Sequence, residues 1–316
     1  MGVRIPPGAQ NTKARNRKVP GLRALCCLVS LTLPAVDEAT AGRRTALRRR
    51  LGWDGRQRRR RDWQYAAHAC APRRRDLSPM RVPRSAVADL RLMTGLVTMR
   101  RLLPPTVAVH ESSCDLDVPL FDDEQSAIAD AVEERRREFV SGRACARRAM
   151  AELDESVVPV PCGPQGEPVW SHGLVGSITH CRGYRAAAVA RVADVIALGI
   201  DAEPHERLPD GVLDLVALPD EAAQIQVLRR DVPAIHWDRL LFCAKEAVYK
   251  GWFPVGRIPL GFAGASVVLR TDGTFSAQVL APQASLGALA GGLAGRWSVG
   301  DGYVAAAVAM PSPTAI

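Results

Sequence analysis

Two long segments of the chain place apolar residues three and four positions apart, the spacing that lines one face of an α-helix. In Glu133–Leu153 this pattern runs from Phe139 to the end of the segment. In His236–Trp252 the pattern is more regular and starts at Trp237. We therefore predict an amphipathic helix over each segment.

Short apolar segments bounded by turn-forming residues accompany these helices and predict β-strands. The predicted strands are Val175–His180, Ala186–Val192, Val195–Ile200, Ala265–Leu269, Ser276–Leu280 and Tyr303–Met310. Helices and strands together predict an α+β fold.

Parts of this pattern occur twice. The first helix contains CARRA at 145–149 and the second contains CAKEA at 243–247. Downstream of each, a predicted strand carries a similar sequence, GYRAAAVA at 183–190 and GYVAAAVA at 302–309. Because helix and strand recur in the same order, the sequence indicates a duplicated α+β unit.

We predict two similar α+β halves related by a pseudo-twofold axis, at 96–200 and 201–316. Residues 1–95 form a separate Arg-rich segment, with 22 of the 42 Lys and Arg residues but only 6 of the 33 Asp and Glu residues. Blocks of like charge repel one another and stay solvated. We therefore expect residues 1–95 to be disordered.

The charge distribution also limits the function. The net charge of +9 and the pI near 9.5 come from the first third of the chain. This weakens any inference that the whole protein binds nucleic acid. No apolar run reaches the ~18–20 residues that a membrane-spanning helix needs, which excludes an integral membrane protein.

The origin of residues 1–95 is open to several interpretations. The apolar stretch 24–36 follows several basic residues and precedes Ala39-Thr40-Ala41, a pattern that imitates a secretory signal. An organelle transit peptide or a nucleic-acid-binding arm would also be rich in arginine. We favour a translation start assigned too far upstream, with Met93 or Met99 as the true beginning.

The eight cysteines include no C-x-x-C pair, so a structural zinc site is not predicted. Cys145 and Cys243 lie in the predicted helices, where a free cysteine behaves as a small apolar residue. We expect reduced thiols in a cytoplasmic protein.

Two carboxylates follow the predicted strand Val195–Ile200. Asp201 and Glu203 are two positions apart, so an extended chain points both side chains to the same face. Such a pair suits magnesium, which takes one or two carboxylates together with phosphate oxygens. The alternative is two solvated acids at the end of a strand.

Other candidate residues also have two interpretations. Glu246 could supply a third acid, but its spacing to Lys250 is also that of a common surface pair on a helix. His180 either binds a phosphate or caps a strand. Arg143 and Arg147 either grip phosphates or are solvated on a helix.

Five motifs in a fixed order favour the functional interpretations. They are FVSGRACAR at 139–147, GEPVW at 166–170, GSITHC at 176–181, GIDAEP at 199–204 and FCAKEAVYKGWFP at 242–254. Together they resemble the 4′-phosphopantetheinyl transferases, most closely the monomeric subclass that activates siderophore, polyketide and nonribosomal-peptide carrier proteins. The resemblance covers about 107–310 and leaves residues 1–95 unaccounted for.

The resemblance implies a role for each matching residue. Asp201, Glu203 and Glu246 match the family's magnesium ligands, and Glu246 also matches its proposed general base. Lys250 matches a catalytic lysine near the scissile pyrophosphate. The positions that match contacts to coenzyme A are Arg136 (or its neighbour Arg135), Arg143, Ser177, Thr179, His180, Asp201, Lys245 and Lys250.

The implied reaction transfers the 4′-phosphopantetheine of coenzyme A to a serine of an apo acyl or peptidyl carrier protein, releasing 3′,5′-ADP in the presence of Mg²⁺. The serine proton would go to Glu246 or to a metal-held water. We expect a cytoplasmic monomer, because coenzyme A is an intracellular metabolite, and no nucleic-acid partner. Two alternatives stay open: a magnesium-dependent phosphatase or nuclease, and a nucleic-acid-binding protein acting through its basic N-terminal segment.

The chain also departs from this subclass at a few positions. Cys162 and Gln165 stand in a loop that usually carries Lys or Arg, so one phosphate anchor is expected to be missing and affinity for coenzyme A to be weaker. Gly251 replaces an alanine inside a predicted helix, at a cost of up to ~1 kcal/mol.

Overall fold

The computed structural model describes residues 98–280 and 292–313. The predicted disorder of residues 1–95 falls outside these ranges. Within them, no helix is both long enough and apolar enough to cross a membrane.

The described part of the chain is a mixture of strands and helices, as the α+β prediction requires. The strands are β1 Ala108–Ser112, β2 Leu174–Cys181, β3 Tyr184–Arg191, β4 Val195–Pro204, β5 Ala265–Leu269, β6 Thr274–Val279, β7 Leu293–Gly300 and β8 Tyr303–Pro311. The α-helices are α1 Asp122–Gln125, α2 Glu133–Glu152, α3 Val212–Val216, α4 Pro219–Asp231 and α5 Trp237–Gly256. Short 3-10 helices lie at Met99–Leu102, Ser126–Ile128 and Phe262–Gly264.

The strands form two antiparallel sheets, each packed against one long helix. The first sheet has the order β1-β3-β2 and packs on α2. The second has the order β4-β8-β7-β6-β5 and packs on α5. Each sheet together with its packed helix therefore contains one copy of the sequence repeat, in which the helix precedes the strand.

The two sheets meet where β2 lies beside β4. The Ser177 hydroxyl accepts a hydrogen bond from the backbone N–H of Ile200 (3.1 Å), and the Thr179 hydroxyl accepts one from the N–H of Ala202 (3.2 Å). All four residues are buried. Side-chain hydroxyls thus satisfy the backbone of β4 at this seam, and apolar residues of both sheets share one core around it.

Helix α5 is buried over nearly its whole length, because it is apolar on most of its surface. Its backbone lies directly on β4 at two glycines. A Cβ atom on Gly199 would overlap the carbonyl oxygen of Ala247, and one on Gly251 would lie 3.4 Å from the backbone nitrogen of Gly199 and 2.9 Å from the side chain of Val308 on β8. This close approach sets the acidic residues of β4 beside α5.

Most predicted elements are confirmed, with two differences that affect the site. β4 continues four residues beyond Ile200, so the prediction that Asp201 and Glu203 follow the strand was wrong: both lie inside it. α5 continues through Pro254 to Gly256. The predicted core cysteines, Cys145 and Cys243, are fully buried.

Candidate active site

Three carboxylates lie together where β4 packs on α5. Asp201 and Glu203 point to the same face of β4, as their spacing predicts, and Glu246 comes from the facing helix. They are only 4%, 7% and 7% exposed, respectively. The prediction of solvated acids at the end of a strand is therefore wrong.

Two of the three acids have raised pKa values. Burial raises the pKa of Glu246 to about 8, and the negative charge of Asp201 adds to this effect. Burial and Asp201 likewise raise the pKa of Glu203 to about 8, although the nearby Arg239 and Lys250 oppose the shift. The cluster thus favours bound positive charge, either protons or a cation.

Two basic side chains already contact this cluster. Lys250 Nζ lies 2.7 Å from Asp201 Oδ1, which also accepts a hydrogen bond from the Thr179 hydroxyl at 3.0 Å. Arg239 Nη1 lies 3.1 Å from Glu203 Oε2, and its side chain is at least as buried as that of its partner. Lys250 therefore reaches across to β4, which contradicts its interpretation as only the surface partner of Glu246.

Two carboxylate oxygens of the cluster are available to a divalent cation. Among the described residues, Asp201 Oδ2 and Glu246 Oε1 are buried and have no hydrogen-bond partner. In that part of the chain, no three His, Cys, Asp or Glu side chains are already arranged around one cation. Magnesium nevertheless needs only one or two carboxylates when phosphate oxygens and waters complete its shell, and these two oxygens can supply them.

A second cluster is basic and lies at the end of β2. Arg135 Nη1 is 2.9 Å from His180 Nε2, and Glu138 Oε2 lies 3.5 Å from the other ring nitrogen. Burial alone would raise the pKa of Glu138, but its hydrogen bond to His180 and the charges of His180 and Arg135 lower it. His180 thus has a fixed ring orientation beside an arginine.

Arg143 has a guanidinium group that is held on several sides. Its Nε donates to the carbonyl of Val160 (2.7 Å), its Nη2 lies 3.2 Å from Cys162 Sγ, and its Cζ lies 4.0 Å from the centre of the Phe139 ring. Burial lowers the pKa of Arg143, although nearby negative charge partly compensates. The cysteine that replaces the family's usual basic residue therefore contacts a predicted phosphate-binding arginine.

Three residues predicted to contact coenzyme A, Arg136, Ser177 and Thr179, have hydrogen-bond partners within the protein. Arg136 donates its Nε to the carbonyl of Ala131 (3.0 Å) and so fastens the loop before α2. Arg135, the neighbour that the resemblance left as an alternative, is the residue beside His180. The hydroxyls of Ser177 and Thr179 lie in the seam between the sheets, where Thr179 also orients Asp201.

Lys245 lies apart from the acidic cluster. Its ammonium group is 2.7 Å from Glu221 Oε2 and donates to three backbone carbonyls, those of Val216, Phe262 and Ala265, at 2.8 to 3.1 Å. The N–H donors of this ammonium group are therefore occupied within the protein. Its aliphatic stem, however, helps to line a small apolar pocket with Val248, Tyr249, Leu260, Gly261, Phe262 and Ala265.

Sequence reasoning did not assign a role to Arg239, which contacts Glu203. The sequence could have indicated this role, because Arg239 precedes Glu246 by seven residues, or two helical turns, and so lies on the same polar flank of α5. Glu138 was missed as well, although it lies one helical turn from the basic residue that it contacts, Arg135.

Two models of one family match the chain on either side of the seam. The model described as "4′-phosphopantetheinyl transferase N-terminal domain" matches residues 123–190, and the "4′-phosphopantetheinyl transferase superfamily" model matches residues 197–308. The two matches contain the basic cluster and the acidic cluster, respectively.

Several curated relatives are also named 4′-phosphopantetheinyl transferase. The chain is 46% identical to 4′-phosphopantetheinyl transferase Svp of Streptomyces mobaraensis over 196 residues, which are 61% of this chain and 80% of that protein. It is also 46% identical to 4′-phosphopantetheinyl transferase PptT of Mycobacterium tuberculosis over 195 residues, 60% of this chain and 85% of that one. Enterobactin synthase component D of Salmonella typhimurium is 30% identical over 159 residues, 48% of this chain and 63% of that protein. With its paired clusters and this similarity over both halves, the chain belongs to the 4′-phosphopantetheinyl transferase superfamily.

Proposed function

We propose that this protein transfers the 4′-phosphopantetheine arm of coenzyme A to a serine hydroxyl of an apo carrier protein, in a magnesium-dependent reaction that releases 3′,5′-ADP. The observation that carries the proposal is the buried acidic cluster, in which Lys250 lies 2.7 Å from Asp201 and Glu246 keeps an unpartnered oxygen. Membership of the transferase family supports the same reaction.

Asp201, Glu203 and Glu246 would hold the magnesium ion, with the oxygens Asp201 Oδ2 and Glu246 Oε1 available to it. Bound there, magnesium would supply positive charge to the oxygens of the pyrophosphate. Lys250 would stand beside the same pyrophosphate and stabilise negative charge on the departing 3′,5′-ADP. Arg239 would keep Glu203 in place, since its guanidinium contacts the far side of that carboxylate.

Glu246 is the proposed base. In the transfer, the serine oxygen forms a bond to phosphorus while the bond between the two phosphates breaks, and the serine proton must leave. A pKa raised to about 8 suits a carboxylate for accepting a proton near neutral pH. We propose that Glu246 takes this proton.

The basic cluster suits the nucleotide end of coenzyme A. Arg135, Arg143 and His180 would bind the phosphates at the nucleotide end, because guanidinium groups and imidazole N–H groups donate hydrogen bonds to phosphate oxygens.

We further propose that one chain is sufficient for activity and that it acts in the cytoplasm. The basic cluster comes from the first half of the chain and the acidic cluster from the second, so one copy provides both. The boundary near residue 200 falls inside β4, where the two halves share a core. Coenzyme A is an intracellular metabolite, which supports the proposed location.

Incubation with fluorescent coenzyme A and a panel of apo carrier domains tests the proposed function. We expect label on at least one carrier, stoichiometric 3′,5′-ADP, and loss of both products with EDTA. Asp201→Asn is the matched control, because it keeps the size of the side chain and removes its charge. Hydrolysis of a phosphoester without a carrier, and no label on any carrier, would instead favour a phosphatase or nuclease.

A further inference from the structure

The same arrangement of buried charges occurs once in each half of the molecule. In each, a glutamate in the first turn of a helix closes that turn and pairs with a basic residue on the long helix. Glu124 of α1 pairs with Arg147, and Glu221 of α4 pairs with Lys245. Both glutamates are almost completely buried. Arg147 and Lys245 are also equivalent positions of the sequence repeat.

The hydrogen bonds of the two glutamates correspond one by one. Glu124 Oε2 accepts from the backbone N–H of Phe121 (3.1 Å), and Oε1 accepts from that of Val160 (2.8 Å). Glu221 Oε2 accepts from the N–H of Leu218 (2.6 Å), and Oε1 accepts from that of Val267 (2.7 Å). Each carboxylate is thus buried, ion-paired and hydrogen-bonded on both oxygens, as a buried ion pair requires.

The hydrogen bonds of the two glutamates connect them to different parts of the molecule. Val160 donates its N–H to Glu124, and its carbonyl oxygen accepts the hydrogen bond from Arg143 Nε at 2.7 Å. Val160 therefore links Glu124 to Arg143 through two hydrogen bonds, one made by its N–H and one by its carbonyl oxygen. The contacts of Glu221 lead instead to β5, through Val267, and to the walls of the apolar pocket, through Lys245.

We propose that Glu124, paired with Arg147, is a positioning residue for the phosphate-binding Arg143. This inference rests on the proposed function, in which Arg143 binds a phosphate of coenzyme A. A guanidinium recognises phosphate through a fixed plane of donors, so a small displacement of Val160 would turn that plane away from its ligand. The pairing of Arg147 with a buried glutamate contradicts its interpretation as a solvated residue on a helix.

Binding of 3′,5′-ADP to the full-length protein tests this inference, because 3′,5′-ADP carries phosphates but no pantetheine arm. Glu124→Gln removes the charge that holds Arg147 and one of the carboxylate's acceptors. We expect its dissociation constant for 3′,5′-ADP and its KM for coenzyme A to rise about tenfold, with kcat within about twofold. Arg143→Met is the reference for full loss of this contact.

Glu221→Gln is the matched control, since it breaks the equivalent ion pair in the other half. It should lower the midpoint of thermal unfolding about as much as E124Q while leaving the dissociation constant for 3′,5′-ADP within twofold. A merely structural role predicts the same nucleotide affinity in both variants. If E124Q does not fold, Arg147→Lys replaces it, with an expected rise of about threefold in the same constant.

The outcomes separate this inference from the proposed function. A wild-type protein that transfers no phosphopantetheine and binds no 3′,5′-ADP would overturn the proposed function. A wild-type protein that does both, beside an E124Q variant that binds 3′,5′-ADP as tightly, would overturn only the positioning role. Equal weakening in E124Q and E221Q would overturn it too.

Discussion

At the scale of single residues, the site is defined by charge that is buried and only partly compensated. Asp201 has Lys250 and Thr179 as partners on one oxygen, whereas its other oxygen lacks one among the described residues. Glu246 sits beside it with a pKa raised to about 8. Such strongly perturbed carboxylates concentrate where ligands or reacting groups bind.

Asp201→Ala and Glu203→Ala should each abolish transfer of label from coenzyme A to the carrier, because each removes a proposed magnesium ligand. Deleting one acid relieves repulsion within the buried cluster, so D201A should stay folded, whereas E203A should melt at a lower temperature because it leaves the buried Arg239 without its carboxylate. Carrier labelling, with circular dichroism as the check on folding, measures this. Unchanged turnover of either variant at limiting magnesium would remove that residue from the metal site.

Glu246→Gln distinguishes a base from a ligand. The amide keeps the size of the side chain but loses its basicity, so a catalytic role predicts a loss of at least ~10²-fold in turnover. If the residue is chiefly a ligand, raising magnesium should restore part of the rate. If it is chiefly a base, raising pH should help instead. A variant within threefold of the wild-type rate would contradict both roles.

The raised pKa values also predict how stability depends on pH. Protonated Glu203 and Glu246 fit their buried positions, so stability is full below the unfolded-state pKa near 4.5 and falls as pH rises through about 8. E246Q cannot ionise and should gain thermal stability relative to wild type between pH 5 and pH 9. Magnesium should raise the wild-type melting temperature more at pH 9 than at pH 5. Differential scanning fluorimetry measures both, and parallel melting curves across this range would contradict the prediction.

At the scale of elements, the site depends on the packing of α5 against β4. Sequence periodicity predicted both elements, because a buried helix and a buried strand leave strong apolar patterns. Their contact could not be predicted in the same way. Gly199 and Gly251 permit it, but a glycine in the sequence does not specify which backbone lies against it. Likewise, the reach of Lys250 to Asp201 depends on this packing.

The elements that the sequence did not predict have weak local patterns. β7 alternates buried and exposed residues, but Gly295 interrupts the apolar series, since the ring of Phe275 occupies the place of its side chain. β1 has only two buried apolar residues among five. The start of α4 could have been recognised from Pro219 and Glu221, which are typical of a first helical turn.

Gly199→Ala and Gly251→Ala should differ sharply. At Gly199 the new methyl group would meet the rigid backbone of Ala247, so α5 must move away from β4 and separate Glu246 from Asp201. We expect a loss of about 1–3 kcal/mol in the free energy of unfolding and a severe loss of turnover. At Gly251 it would meet a methyl group of the Val308 side chain rather than backbone, so the strain should be smaller, and the gain in helix propensity of up to ~1 kcal/mol offsets part of it. Urea unfolding and carrier labelling compare the two, and equal effects would contradict the packing argument.

At the scale of the whole molecule, the two halves of the pseudo-twofold fold contribute different parts of the candidate site. The first half provides the basic cluster and the second the acidic cluster, while the hydroxyls of Ser177 and Thr179 join β2 to β4 between them. The repeat was visible in the sequence as similar helices and strands. The paired glutamates Glu124 and Glu221 were not, because the residues around them differ and only the folded chain brings each one to its basic partner.

Residues 99–316 should fold and be active without the segment that precedes them. Met99 is fully buried, and its backbone nitrogen donates to Glu111 Oε1 at 2.6 Å, a contact that an N-terminal ammonium group would keep. The shortened protein should therefore melt within a few degrees of the full chain and label carriers at a similar rate. A chain that begins at residue 104 is the matched control. It removes the buried Met99, Leu102 and Leu103, and each lost core side chain of this size costs about 2–5 kcal/mol. Activity in residues 104–316 but not in 99–316 would contradict this assignment of the core, and an inactive 99–316 beside an active full chain would show that the preceding segment is needed for folding or catalysis.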